Sequence, residues 1–212
     1  MARNPERRAA LVDAAAVVLA REGARGLTFR AVDSEAGVPV GTASNYFADR
    51  DTLLNQIDTR LHERLAPDPA VIEELMAAPK DRSLVLASMR DLLSRATRDR
   101  TGYLALLELR LEATRRPALR ASYTKSVRRE LELGMRFHRE AGLPGDDETV
   151  ALLYLSVLGL LLEHLTLPDV LTGIVPDADV PDALLERIVN TIVPEGRPNT
   201  PCGTLQGQGT TP

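Results

Sequence analysis

The chain has 212 residues, 44% of them apolar and 26% charged, the balance of an ordinary soluble globular protein with room for one large domain or two small ones. A net charge of -4 with a pI of about 5.5 argues, taken alone, against a nucleic-acid partner, but the charge is uneven. Residues 1–30 carry six arginines against Glu6, Asp13 and Glu22, whereas residues 141–212 carry Arg187 and Arg197 against ten acids; Cys202, the only cysteine, excludes an intrachain disulfide and fits a reducing cytoplasm.

Arg7 and Arg8 precede an apolar stretch that superficially looks like an export signal. Asp13 interrupts it, and Leu11, Ala15, Val18 and Leu19 keep helical spacing, so the start reads as an amphipathic helix stopping near Gly23. Thr28 is placed to cap a short second helix, FRAVDSEA, which breaks at Gly37. Pro39 suits the first turn of a third, PVGTASNYF. Asp49 caps a fourth, from Arg50 to about Leu65, which Pro67 and Pro69 end.

Pro67 to Lys80 reads as a connector with one helical turn. The stretch from Arg82 to His138 is helical almost throughout, with a break at Arg116–Pro117. After the loop AGLPGDDE, an apolar helix runs from about Asp147 to Leu165, and a last helix covers roughly Pro181 to Val193. The longest apolar run, Val150 to Leu162, is too short to span a bilayer, so no membrane partner is expected. Residues 194–212, rich in Gly, Pro and Thr, read as a disordered tail. The predicted fold class is all-α, with a helical unit at 1–66 and a second helical domain at 67–193.

The stretch GVPVGTASNYFADRDTLL, residues 37–54, concentrates small hydrogen-bonding side chains between two short helices. A short helix, a glycine-bearing turn and a second short helix form the helix-turn-helix pattern, with Ala31, Val32, Ala36, Val38 and Phe47 as its core. Gly41 and Ala43 are expected to keep the third helix slim for a groove, while Thr42, Ser44 and Asn45 offer hydrogen bonds and Tyr46 reaches toward phosphate. The same shape occurs in structural bundles, so spacing alone leaves a DNA reader and a plain bundle both open. For single residues the alternatives are equally plain: Arg30 pairs with Asp33, or Tyr46 simply packs.

GLTFRAVDSEAGVPVGTASNYFADRDTLL resembles the DNA-binding domain of the TetR family of bacterial transcriptional repressors. The resemblance is carried by Ala31, Ala36-Gly37-Val38, Gly41-Thr42, Phe47, Asp49-Arg50-Asp51 and Leu53-Leu54. It covers roughly residues 8–60. The family commonly has Tyr and His where this chain has Ser44 and Tyr46, so the aromatic phosphate contact is displaced here. The resemblance implies base contacts from Arg30, Val40, Thr42 and Ser44, and phosphate contacts from Thr28, Asn45, Tyr46 and Arg50. It further implies a double-stranded operator as partner, a homodimer, a cytoplasmic location and a small-molecule effector held by the second domain.

In that second domain the helix VALLYLSVLGLLLEHL is apolar nearly all round, and Gly159 would let a partner helix approach. A dimer face is expected there, made with the last helix around Leu184, Leu185, Ile188 and Ile192. An effector cavity is expected along Tyr103 to His138, with Leu104, Leu107, Leu111, Met135 and Phe137 as walls and Tyr103, Tyr123 and His138 as polar handles. For each of these side chains, filling the bundle core is the competing role. Glu108, Glu112, His138 and His164 lack the paired Glu-x-x-His spacing of a di-iron bundle, and no catalytic set, metal cluster or cofactor motif is recognised. A helical-bundle enzyme and a helical adaptor that has lost DNA binding are the rival readings.

Overall fold

Ten α-helices follow one another in the computed structural model, which describes residues 4–171, 173–174 and 180–195; among these no strand occurs. The expected all-α class is what the chain adopts. Helix α1 (Pro5–Gly26) begins where Asn4 Oδ1 accepts the N–H groups of Glu6 and Arg7 at 2.9 and 3.3 Å. It bends at Gly23, which leaves helical geometry. Helix α2 (Phe29–Glu35) is capped by Thr28, as its sequence predicts. Helix α3 is shorter than expected, Thr42–Tyr46, because Pro39 to Gly41 form a turn instead of a first helical turn. Helix α4 (Arg50–Arg64) starts at Asp49, whose carboxylate accepts the Thr52 N–H at 2.7 Å.

The presumed connector holds a nine-residue helix, α5 (Pro69–Ala77). Asp68 caps it and Pro69 occupies its first turn, so the proline starts a helix here and does not interrupt one. The expected long helical stretch is divided into α6 (Arg82–Arg98), α7 (Arg100–Ala113) and α8 (Pro117–Glu140). The additional break falls at Asp99, which ends α6 and caps α7 through the Gly102 N–H at 3.0 Å. Arg64 grips the same carboxylate at 2.6 Å from a distant part of the chain. Helix α9 (Asp147–Thr166) opens on a reciprocal cap between Asp146 and Thr149, and α10 (Val180–Ile192) closes the described fold. The tail expected to be disordered lies, from residue 196 on, outside the described residues.

Three apolar clusters hold the helices together. The first joins Leu11, Leu19, Val32, Phe47, Leu54 and Ile57 of the amino-terminal helices to Ala105, Leu109, Leu119 and Tyr123 of α7 and α8. The second gathers Leu84, Val85, Leu143, Leu153 and Val189 at one end of the carboxy-terminal bundle. The third packs Leu93, Val157, Leu161 and Leu165 around Leu185. Leu185 is wholly buried and Leu184 and Ile188 pack around it. Leu185 is thus spent inside its own chain, whereas Leu184, Ile188 and Ile192 of α10 stay half-buried.

Helix α9 is different. By length and composition it is apolar enough to cross a membrane, yet Leu153, Val157, Leu161 and Leu165 on one side pack into the bundle. Its opposite side exposes Leu152, Leu155, Gly159 and Leu162, a stripe at helical spacing.

Candidate functional site

The turn between α2 and α3 requires glycine twice. Gly37 has φ 62° and Gly41 φ 92°, left-handed geometry that a Cβ would penalise. A side chain at either position would meet no atom within 4 Å, so the need is conformational and not one of space.

What fixes α3 is Asp33, a residue of α2 only 1% exposed. Its two carboxylate oxygens accept the N–H groups of Gly41 and Ala43, both at 2.7 Å. Those are donors that a helix start leaves without partners, and the buried carboxylate satisfies them from eight and ten residues upstream. Ala43 faces the core and is fully buried, and Gly41 precedes the helix, so neither serves to slim a groove-facing surface as expected. The far end of α3 is held by Arg8, which donates to the Tyr46 carbonyl at 3.0 Å and to Gln56 at 2.8 Å and stands 5.1 Å over the Phe47 ring. Phe47 stacks in turn on Phe29. Sequence reasoning missed Asp33 and Arg8 as organisers because each acts across the chain.

Clamped in this way, α3 presents an accessible face. Val40 is 78% exposed, unusually bare for a branched apolar side chain, and Arg30, Ser44 and Asn45 are exposed beside it. Asp33 being engaged by backbone, Arg30 makes no ion pair among the described residues. The Thr42 and Ser44 hydroxyls donate locally, to the carbonyls of Pro39 and Gly41, which leaves their acceptor lone pairs outward. Thr28 caps α2 from an exposed position. Tyr46 is half-buried against the core. Arg50 is also half-buried and donates to the Ala24 carbonyl, so it fastens α4 to α1.

Behind this face, α4 meets α8 along a polar seam. Arg116 bridges Glu112 and Asp51 at 2.6 and 2.7 Å, Ser122 donates to Asn55 and Ser126 to the buried Asp58, each at 2.6 Å. His62 Nδ1 lies 3.0 Å from Asp58 Oδ1, and its ring stands edge-on to Tyr123. The hydrogen bond to Asp58 raises the His62 pKa above 6.5 against the opposing effect of burial. A raised folded-state pKa stabilises the fold fully below the unfolded value and fades as pH rises through the folded one. His62→Gln is therefore expected to lower the melting temperature more at about pH 5.5 than at about pH 8.5, either side of the ordinary imidazole value. Thermal melts of both proteins at the two pH values check this; an equal gap would remove the titrating pair from the seam. His138, pushed down by burial, is common to both proteins and cancels in the comparison.

The expected effector residues converge only in part: Tyr103 and Tyr123 lie near enough for charge on one to raise the other, whereas His138 stands apart. Tyr123 is buried, its hydroxyl donating to the Leu106 carbonyl at 3.2 Å, and burial pushes its pKa up to about 12. Tyr103, likewise raised to about 12 by burial, packs with the third apolar cluster. Leu107 is half-buried and Leu111 is 54% exposed. His138 is buried at the far end of α8, Nε2 3.0 Å from the Pro144 carbonyl, where it shapes the turn into α9. Fifteen residues of helix, roughly 22 Å, separate it from Tyr123. Of the set, Tyr123 lines a cavity of about 520 Å³ between α7 and α8. The other lining residues include Arg110, Arg120, Thr124 and Arg128, which the sequence reading passed over. Their signal was present: Arg120, Thr124, Val127, Arg128 and Leu131 follow one face of α8.

Among the described residues no group of three or more His, Cys, Asp and Glu is placed to hold a metal. Residues 11–57 match the family model "Bacterial regulatory proteins, tetR family", and residues 80–194, over half the chain, match "Tetracyclin repressor-like, C-terminal domain". A comparison with curated proteins gives no match. Among solved structures, a TetR-family member (SCO1917) from Streptomyces coelicolor A3 is 29% identical over 90% of this chain and 99% of its own, with a TM-score of 0.64. The multidrug binding protein EbrR bound to imidazole is 28% identical, covering 91% and 98%, with a TM-score of 0.59. EbrR bound to ethidium is 27% identical, covering 90% and 100%, with a TM-score of 0.60. With both halves matched in order and a helix-turn-helix at its amino end, the chain belongs to the TetR family of bacterial transcriptional regulators.

Proposed function

We propose that this regulator is a cytoplasmic repressor that binds a palindromic operator as a homodimer and is released by a small-molecule effector. Residues 1–66 serve as the reading head and 67–193 as the effector-binding and dimerisation domain. The observation that carries the reading is the exposed face of α3 and the turn before it, held by Asp33, with Arg30 of the neighbouring α2 exposed and making no ion pair among the described residues. Val40 suits the methyl group of a thymine, Arg30 a guanine edge, and Thr42 and Ser44 either kind of base edge. Thr28, Asn45, Tyr46 and Arg50 flank that face and take the phosphates. One such head reads few base pairs, and two on a two-fold axis give useful specificity. The exposed α9 stripe supports the dimer. EbrR, crystallised with imidazole and with ethidium, supports reception of a small organic molecule.

Selection of bound DNA from a random pool tests this directly and is expected to enrich one two-fold symmetric sequence. Thr42→Ala and Arg30→Ala should each then weaken that site by about 1–3 kcal/mol, the usual worth of a base-edge contact. Tyr46→Phe should weaken all sequences alike. A pool with no enriched sequence would turn the reading toward a helical adaptor without DNA binding.

A further inference from the structure

Arg110 reaches from α7 into the cavity between α7 and α8 and is half-buried there. Its Nη2 donates to the Tyr154 hydroxyl at 3.1 Å, and its guanidinium stands 5.8 Å over the Tyr123 ring. Neither partner is a carboxylate, and Tyr123, raised to about 12 by burial, stays protonated. Among the described residues, Arg110, Arg120 and Arg128 have no carboxylate within 4.0 Å, and no acidic side chain lines the cavity. Pairing is available close by, since Arg115 and Arg116 both bind Glu112. Arg120 and Arg128 are exposed, whereas the half-buried Arg110 is costly to keep without an anion. The remaining wall is apolar at Ala113, Val127 and Leu131 and carries the hydroxyls of Thr114 and Thr124.

We infer that the cavity takes an amphiphilic organic anion, its carboxylate-type headgroup on Arg110 between Arg120 and Arg128 and its apolar body on Ala113, Val127 and Leu131. This rests on the effector reading above and gives that effector a charge. The planar fork of arginine matches a carboxylate with two parallel hydrogen bonds, and partial burial strengthens the pairing. An anion that draws Arg110 off Tyr154 also bears on Tyr123, whose ring lies against His62 of α4. The site thus touches the seam that carries the reading head.

The test compares octanoate, octan-1-ol, octylammonium and acetate by thermal shift and calorimetry on the full chain. Octanoate is expected to raise the melting temperature and the other three to leave it unchanged. Arg110→Gln should weaken octanoate about ten- to a hundredfold, the worth of a charge-assisted hydrogen bond. The double change Arg120→Gln with Arg128→Gln, at exposed positions that do not threaten folding, should weaken it about threefold, as screened charges do. Equal stabilisation by octan-1-ol, equal stabilisation by acetate, or none by octanoate would each overturn the assignment. Operator affinity is measured in parallel. Octanoate that binds through Arg110 yet leaves operator affinity unchanged upholds the ligand assignment and defeats the effector reading. Release by octan-1-ol alone would do the reverse.

Discussion

Asp33→Ala is expected to cost about 3–6 kcal/mol of stability, the sum of two charge-assisted hydrogen bonds at roughly 1.5–3 kcal/mol each. Against a typical total of about 5–15 kcal/mol this approaches the whole margin of the fold. The N–H groups of Gly41 and Ala43 would be left without acceptors, that of Ala43 in a buried site. Both belong to the start of α3, so the loss falls on the segment that presents Val40, Thr42 and Ser44. Operator binding should therefore vanish even at a low temperature where circular dichroism shows the variant still folded. Asp33→Asn should fall between, because an amide oxygen can serve one N–H while its NH₂ group opposes the other. Urea unfolding and fluorescence anisotropy on the selected operator check both variants. A folded Asp33→Ala protein with unimpaired affinity would mean that α3 is positioned by something else.

The same carboxylate shows where sequence reading stops. Helix starts were legible because their caps are local: Thr28, Asp49 and Asp146 each accept an N–H three residues on. The family resemblance likewise came from a contiguous stretch. The true start of α3 was not legible, because it depends on Asp33 folding back from α2 while Pro39, a good first-turn residue, suggested an earlier one. The break at Asp99 was missed although its cap is local, the carboxylate accepting the Gly102 N–H three residues on; only the grip of Arg64 comes from thirty-five residues away.

In the carboxy-terminal domain the limits were of another kind. Periodicity says that a helix has an apolar face but not what covers it. Leu185 looked like part of a dimer surface and is instead the centre of an internal cluster. His138 looked like a polar handle for a ligand and is used up by the Pro144 carbonyl. Arg120 and Arg128 were visible as a row on α8, yet only the structure brings Arg110 of α7 beside them and shows that, among the described residues, all three lack carboxylate partners when Arg115 and Arg116 have one.

Gly159→Leu is expected to convert the protein from dimer to monomer and to remove specific operator binding, without unfolding it. In the single chain a Cβ at Gly159 meets no atom within 4 Å among the described residues, so a side chain there has room. Leaving glycine should even favour the α9 helix by up to about 1 kcal/mol. Any harm done by leucine must then come from a second chain approaching that point, which makes the substitution diagnostic in a way that Leu185→Asp is not. Leu185 is fully buried in its own protomer, so an aspartate there would break the fold and report nothing on assembly. Leu155→Asp, at a position 60% exposed in the protomer, is the companion test. It removes roughly 2 kcal/mol of apolar burial and adds a charge to desolvate, and two-fold symmetry applies both costs twice. Each monomer would retain one reading head with Thr42 and Arg30 unchanged, so weak, salt-sensitive binding to any DNA should survive while preference for a palindrome disappears. Sedimentation at micromolar concentration reads the assembly, and melting temperature confirms the fold. A wild-type protein that sediments as a monomer, or a Gly159→Leu variant that remains a dimer, would show that α9 is not where two copies meet.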